Sequence, residues 1–213
     1  SITMLDLRQA GREESREHEI RSAVAEGLVA NSTLETLFLP GADNSSVVYG
    51  PILEEALERN CGRKKLCFSF SSISLEASQC LARALSHNTS LESLDLNCTE
   101  MTEPSLTAPA DGLRTNKTMN FLDLSNTSAL SQAGRAAIQR LIGYNVLRER
   151  DLANTQDSVG ASILTSGLSD NHSLVKLDLD HAFVEGEGSE TFRALCESLR
   201  GNMTLRYLNV RHN

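Results

Sequence analysis

A leucine triplet that returns at a nearly constant interval constrains this chain more than any other feature. In the stretch Leu91 to Asn97, LESLDLN, the leucines fall at Leu91, Leu94 and Leu96. With the middle position taken as an anchor, copies stand at Leu5, Leu37, Leu66, Leu94, Leu122, Arg150, Leu177 and Leu208, spaced by 32, 29, 28, 28, 28, 27 and 31 residues. The residue two past each anchor is apolar in every copy, and three before it only Arg63 departs. Apolar residues two apart, with a polar residue between, have the period of a strand with one buried face. A unit of this size cannot bury that face alone, so it must stack on its neighbours.

Between the strands the apolar period changes. Nine residues before the anchors stand Leu28, Leu57, Leu85, Leu113, Leu141, Leu168 and Leu199, and thirteen before stand Val24, Leu53, Leu81, Pro109, Ala137, Leu164 and Leu195. Slots four apart share one face of a helix, which predicts a crossover helix packed on the sheet. Six before the anchors come Asn31, Asn60, Asn88, Asn116, Tyr144, Asn171 and Asn202. Asparagine tolerates the left-handed conformation that ends helices, so this row reads as a repeated helix stop.

Each unit therefore runs strand, turn, helix, asparagine, next strand, an order that suits parallel strands with right-handed crossovers. The 28-residue spacing, the LxxLxL strand and the helix ending in Asn-x-Ser/Thr resemble the ribonuclease-inhibitor-like leucine-rich repeats. That resemblance implies an α/β leucine-rich repeat solenoid (a horseshoe), with parallel strands on the concave face and helices on the convex face. It would fill residues 1–213 as a single domain of about seven repeats plus a terminal strand. Solenoid ends need caps, and a chain that opens and closes on a strand reads as a fragment of a longer one.

Some units depart from the pattern. Pro109 removes an amide donor inside a helix, so residues 103–115 are expected to form a short or kinked helix. Arg150 occupies an inward slot, which requires either a local slip of the strand or a buried acceptor. Five past the anchors, where such repeats usually carry Asn or Cys, stand Ala10, Ala42, Ser71, Thr99, Thr127, Thr155, Ala182 and Asn213. The hydroxyls there can bond nearby backbone groups, with fewer donors than an amide. Gly11 to Arg21 reads as a solvated charged loop entering a helix, and Glu185 to Ser189 as an outward bulge.

The net charge of −8 and pI near 5.2 argue against non-specific nucleic-acid binding. No apolar run reaches the length of a membrane span. The five cysteines form no C-x-x-C pair, and a chain of this length folds without disulfides. Reduced thiols in a cytoplasmic or nuclear compartment follow. Cys67, beside the basic GRKKL stretch, is expected on the open face of its strand, and Cys80 and Cys196 near the helix cores. No metal site is expected, because the five histidines are scattered. Eight N-x-S/T sequons occur, five of them the helix-stop asparagines, which the fold already explains. No P-loop, GxGxxG, HExxH or GxSxG motif is present. The expectation is therefore a non-enzyme with no cofactor. The alternative is a GTPase activator of the nuclear-transport type, whose repeats this chain also resembles.

The residues between the leucines carry whatever function the repeats have. Just after the anchors, pointing out of the sheet, stand Asp6, Phe38, Cys67, Asp95, Asp123, Asp151, Asp178 and Asn209. Four aspartates thus fall on consecutive parallel strands about 4.8 Å apart. Rows on either side add Phe121, Glu149 and Tyr207, and Asp180. One reading is an acidic groove for a basic protein partner, anchored by Phe121 and Tyr207. The other is that aspartate is simply a common solvated choice at that position. Both stand at this point.

Overall fold

The computed structural model describes residues 3–6, 26–31, 33–38, 54–55, 57–58, 62, 64–68, 72–127, 140, 143–144, 147–154, 167–183 and 188–213. The strands expected from the anchors are all present. They are β1 (Met4–Asp6), β2 (Thr36–Phe38), β3 (Lys65–Cys67), β5 (Ser93–Asp95), β7 (Phe121–Asp123), β8 (Glu149–Asp151), β9 (Lys176–Asp178) and β10 (Tyr207–Asn209). They form one eight-stranded, fully parallel sheet in chain order. Two short strands, β4 (Ser72–Ile73) and β6 (Glu100–Met101), pair in a second sheet that the leucine spacing does not announce.

The anchors pair directly across the large sheet, from Leu5 opposite Leu37 to Leu177 opposite Leu208. Leu37, Leu66, Leu94, Leu122 and Leu177 are buried. They share one apolar core with Leu57, Leu85, Leu113 and Leu168 from the segments between strands. Burying each such side chain contributes roughly 1.5–3 kcal/mol before chain entropy is subtracted. The sheet's other face carries the residues next to the anchors and is open.

Three helices are described in full: α1 (Leu75–His87), α2 (Glu103–Leu113) and α3 (Gly188–Gly201). Ser74 caps α1 by accepting from the Ala77 N–H, and Thr102 caps α2 through the Ser105 N–H. Pro109 lies inside α2 and is buried, with the helix continuing to Leu113. The helix is 11 residues long against 13 for α1 and 14 for α3, so the expected shortening is modest. α2 lies so close to α1 that a Cβ at Gly112 would stand 2.8 Å from Ala82 Cα and nearer still to its carbonyl oxygen. Glycine is needed there for backbone approach.

Arg150 sits in register between Leu122 and Leu177, so the strand does not slip. Its side chain is 1% exposed, and burial pushes the guanidinium down to about 9, which leaves it charged at neutral pH.

The asparagine row works differently from the expected left-handed stop. Asn88 is extended, at φ −67° and ψ 133°, and no member of the described row has positive φ. Each side-chain oxygen instead accepts two backbone N–H groups that lead into the next strand, as Asn116 Oδ1 does from Thr118 and Met119 at 2.9 and 2.7 Å. Its amide donates to the preceding unit, to Leu85 O at 2.7 Å and Asn88 O at 3.1 Å. Asn88 and Asn202 repeat this link. Asn88, Asn116 and Asn171 are buried, which accounts for those sequons as structural. The threonine slot behaves as expected: Thr99 Oγ1 donates to Leu96 O at 2.6 Å, and Thr127 does the same to Leu124 O.

Val24, Leu53, Ala137, Leu141, Leu164, Asn60, Cys61, the Gly11 to Arg21 loop and most of Glu185 to Ser189 lie outside the described residues.

Candidate functional site

The open face of the sheet holds the row Asp95, Asp123, Asp151 and Asp178 on β5, β7, β8 and β9, each directly opposite the next. All four are partly buried. The sequence reasoning missed a second duty for them. Each Oδ1 accepts from the backbone N–H two residues on: Asp95 from Asn97 at 3.0 Å, Asp123 from Ser125 at 2.9 Å, Asp151 from Ala153 at 3.0 Å and Asp178 from Asp180 at 3.0 Å. Asn209 does the same for Arg211 at 3.1 Å. These are Asx turns, and they start the bend that carries the chain off the sheet. The signal was present in the sequence, since only Asp or Asn fills this slot from Leu94 onward.

The second carboxylate oxygens differ along the row. Asp95 Oδ2 accepts from Cys67 Sγ at 3.3 Å, and both oxygens of Asp178 accept from the Asn209 amide at 3.0 and 3.1 Å. Among the described residues, no hydrogen bond falls on Oδ2 of Asp123 or Asp151. Burial first, then the neighbouring charges of Asp123 and Asp178, raise the Asp151 pKa above the usual carboxylate range. Opposing this, the Ala153 N–H holds it down. The middle of the row is therefore where negative charge is least satisfied.

Tyr207 is 49% exposed at the last strand, with Lys176 Nζ 5.6 Å from its ring centre. Lys176 also reaches the exposed Glu149, at 4.0 Å. Phe121 is only partly exposed in the same row. Two cysteines differ from expectation. Cys67 is 2% exposed; it stands in register with Asp95 at the start of the row and donates to it. Cys196 lies on the exposed side of α3, while Cys80 is buried as expected. Cys67, Cys80, Cys98 and Cys196 are free thiols.

Asp180 stands apart from the row. It accepts from two histidines, His181 Nδ1 at 3.0 Å and His212 Nδ1 at 2.9 Å. The His212 hydrogen bond, more than any other contact, holds its carboxyl below the usual range. These histidines are 31 positions apart in the chain and were expected to be scattered. They meet because both occupy the fourth position after an anchor. That position is left-handed in five successive units, at Cys98, Asn126, Asn154, His181 and His212, with φ between 49° and 54°. There the N–H of each of the first four donates to a carbonyl of the following unit, as Asn126 does to Ala153 and His181 to Arg211.

The fold and site define an α/β repeat protein with a parallel sheet and one open, acid-lined face. The structure is similar to a solved tropomodulin C-terminal domain from Caenorhabditis elegans, with TM-score 0.52 and 13% identity over 85% of this chain and 92% of that one. A further solved structure, leiomodin-1 actin-binding site 2, aligns with TM-score 0.40 and 14% identity over 93% of this chain and 81% of that one. At 13% identity the tropomodulin likeness is one of fold. No family model matches the sequence, and no curated protein matches it. No helix among the described residues is long and apolar enough to cross a membrane.

Proposed function

We propose that this chain is a non-enzymatic protein-interaction module, a leucine-rich repeat solenoid of the ribonuclease-inhibitor-like kind. Its open face receives a basic segment of a protein partner. Asp95, Asp123, Asp151 and Asp178 form the contact row, Glu149 and Asp180 flank it, and Phe121 and Tyr207 supply the apolar anchors. The observation that carries this reading is the row itself: Asp151 lies half-buried in register between Asp123 and Asp178 with one oxygen uncommitted, where burial and those like charges disfavour its ionised form. A cationic side chain seated there would relieve repulsion that the free protein bears, and would gain a charge-assisted hydrogen bond. Free thiols at four described cysteines suit a reducing, cytoplasmic setting. No feature of the described surface favours the GTPase-activator alternative.

The test is binding of lysine- and arginine-rich peptides across a salt series, to the chain and to a variant with all four row aspartates changed to Asn. Asparagine at this slot keeps the Asx turn, as Asn209 shows, so the variant removes charge while sparing the turns. Affinity should fall with salt and drop roughly tenfold or more in the variant. Equal affinity for both proteins would overturn the proposal.

A further inference from the structure

The turns beyond the last two strands of the large sheet bring together a group of side chains of which the acidic-face reading uses only Asp180, as a flanking charge. Asp180, His181 and His212 each offer one ligand atom, and these atoms all lie within 4.8 Å of one another. Both imidazoles aim Nδ1 at the same oxygen, Asp180 Oδ1, at 3.0 and 2.9 Å. Their rings are stacked, with centres 4.4 Å apart and planes 16° from parallel.

The backbone imposes this convergence. His181 and His212 have φ of 49° and 53°, in a region that non-glycine residues occupy at some cost. The repeat overrides that cost because the left-handed turn lets the His181 N–H pair with Arg211 O at 3.1 Å. Two equivalent turns in adjacent units therefore present the same side chain in the same direction, one strand spacing apart. Asp180 is fixed from the other side, since its N–H donates to Asp178 Oδ1. Asp180 and His181 thus project from backbone held by the repeat itself, and the neighbouring Asn213 ties the turn of His212 to Leu179 O through its amide.

The geometry points to a binding site for a borderline divalent transition-metal ion, zinc being the first choice, held by Asp180, His181 and His212 with water completing the shell. Two nitrogens and one carboxylate oxygen suit zinc, nickel or copper, and are a poor set for calcium or magnesium, which take oxygen. An ion about 2.1 Å from each of three tetrahedral ligands would set the ligand atoms about 3.4 Å apart. The two separations from Asp180 Oδ1, 3.0 and 2.9 Å, are shorter than that, so loading calls for a small side-chain rotation with the turns unmoved. Side-chain exposures of 29% for Asp180, 40% for His181 and 60% for His212 leave an open approach for an ion, and for a further ligand from a partner. This inference goes beyond the acidic-face proposal and does not depend on it: the four row aspartates are not ligands, His181 and His212 take no part in that proposal, and Asp180 is only a flanking charge there.

Zinc titration of the whole chain by calorimetry tests it, beside His212→Gln, His181→Gln and Asp180→Asn. One saturable ion per chain is expected, with affinity reduced at least tenfold in each variant. On the unsubstituted protein, zinc should shift the imidazole proton signals of His181 and His212 together and leave those of His18, His87 and His172 in place. That readout holds even if a variant folds poorly. Absence of saturable binding, equal affinity in His212→Gln, or shifts confined to other histidines would overturn the proposal.

Discussion

The units of β5, β7 and β9 use the same small device at both ends of the strand, and the two ends are put to different use. Before the strand, an asparagine oxygen takes the N–H groups of the second and third residues on. After it, an aspartate oxygen takes the N–H of the second residue on. In the first row Asn88, Asn116 and Asn171 are buried, and Asn116 has both side-chain atoms committed, making two bonds forward and two to the preceding unit. The second row is half-buried and commits one oxygen, with the other left over at Asp123 and Asp151. Position relative to the core separates frame from surface. An amide suits the buried row because it satisfies donors and acceptors without a charge to desolvate. A carboxylate is tolerated in the outer row because water or a partner reaches its second oxygen.

That contrast can be broken from either side. Asn116→Ala should have the largest effect. It strands two backbone carbonyls and two N–H groups in a buried setting, so a loss of about 3 kcal/mol or more is expected in a denaturant melt. A melt indistinguishable from the unsubstituted chain would show that the row is not structural. Asp123→Ala removes the turn bonds to the Ser125 N–H and hydroxyl. A loss of about 1 kcal/mol should follow, and Asp123→Asn should recover most of it. If Asn recovers nothing, charge rather than the Asx turn is what the position supplies.

The smallest effect is a gain. Asp151→Asn keeps the turn and removes the charge, and should stabilise the fold by a few tenths to about 1 kcal/mol at neutral pH, the exposure of the row limiting it through solvent screening. The sign follows from the raised folded-state pKa of Asp151. The folded state holds this proton more tightly than the unfolded state, so ionising Asp151 destabilises the fold above the folded pKa. The penalty disappears as pH falls through that value toward the unfolded 3.8. The advantage of Asp151→Asn should therefore shrink to nothing in acid, which paired melts across pH would reveal.

Leucine spacing alone determined the parallel order, the inward row and the outward row, because a stacked repeat permits one register in which every apolar slot is buried. The aspartate row was legible for the same reason. What the aspartates and asparagines do there was not. Asparagine in a helix-ending slot fits either a left-handed stop or an Asx turn. Only the backbone angles and the bonds to the preceding unit decide between them. Arg150 could not be placed by pattern either, since a charged residue in an apolar slot predicts slippage as readily as burial. The meeting of His181 and His212 lay furthest from view. Thirty-one positions separate them, and the insertion in the last unit spoils their spacing as a motif. They are neighbours because the fold counts from the anchor, and both stand four residues past it on adjacent strands. Sequence determined the repeat, since burial of the leucines is a local and additive demand. Tertiary structure decided which polar residues face one another across repeats, because that depends on turns whose conformation is set by bonds to the next unit.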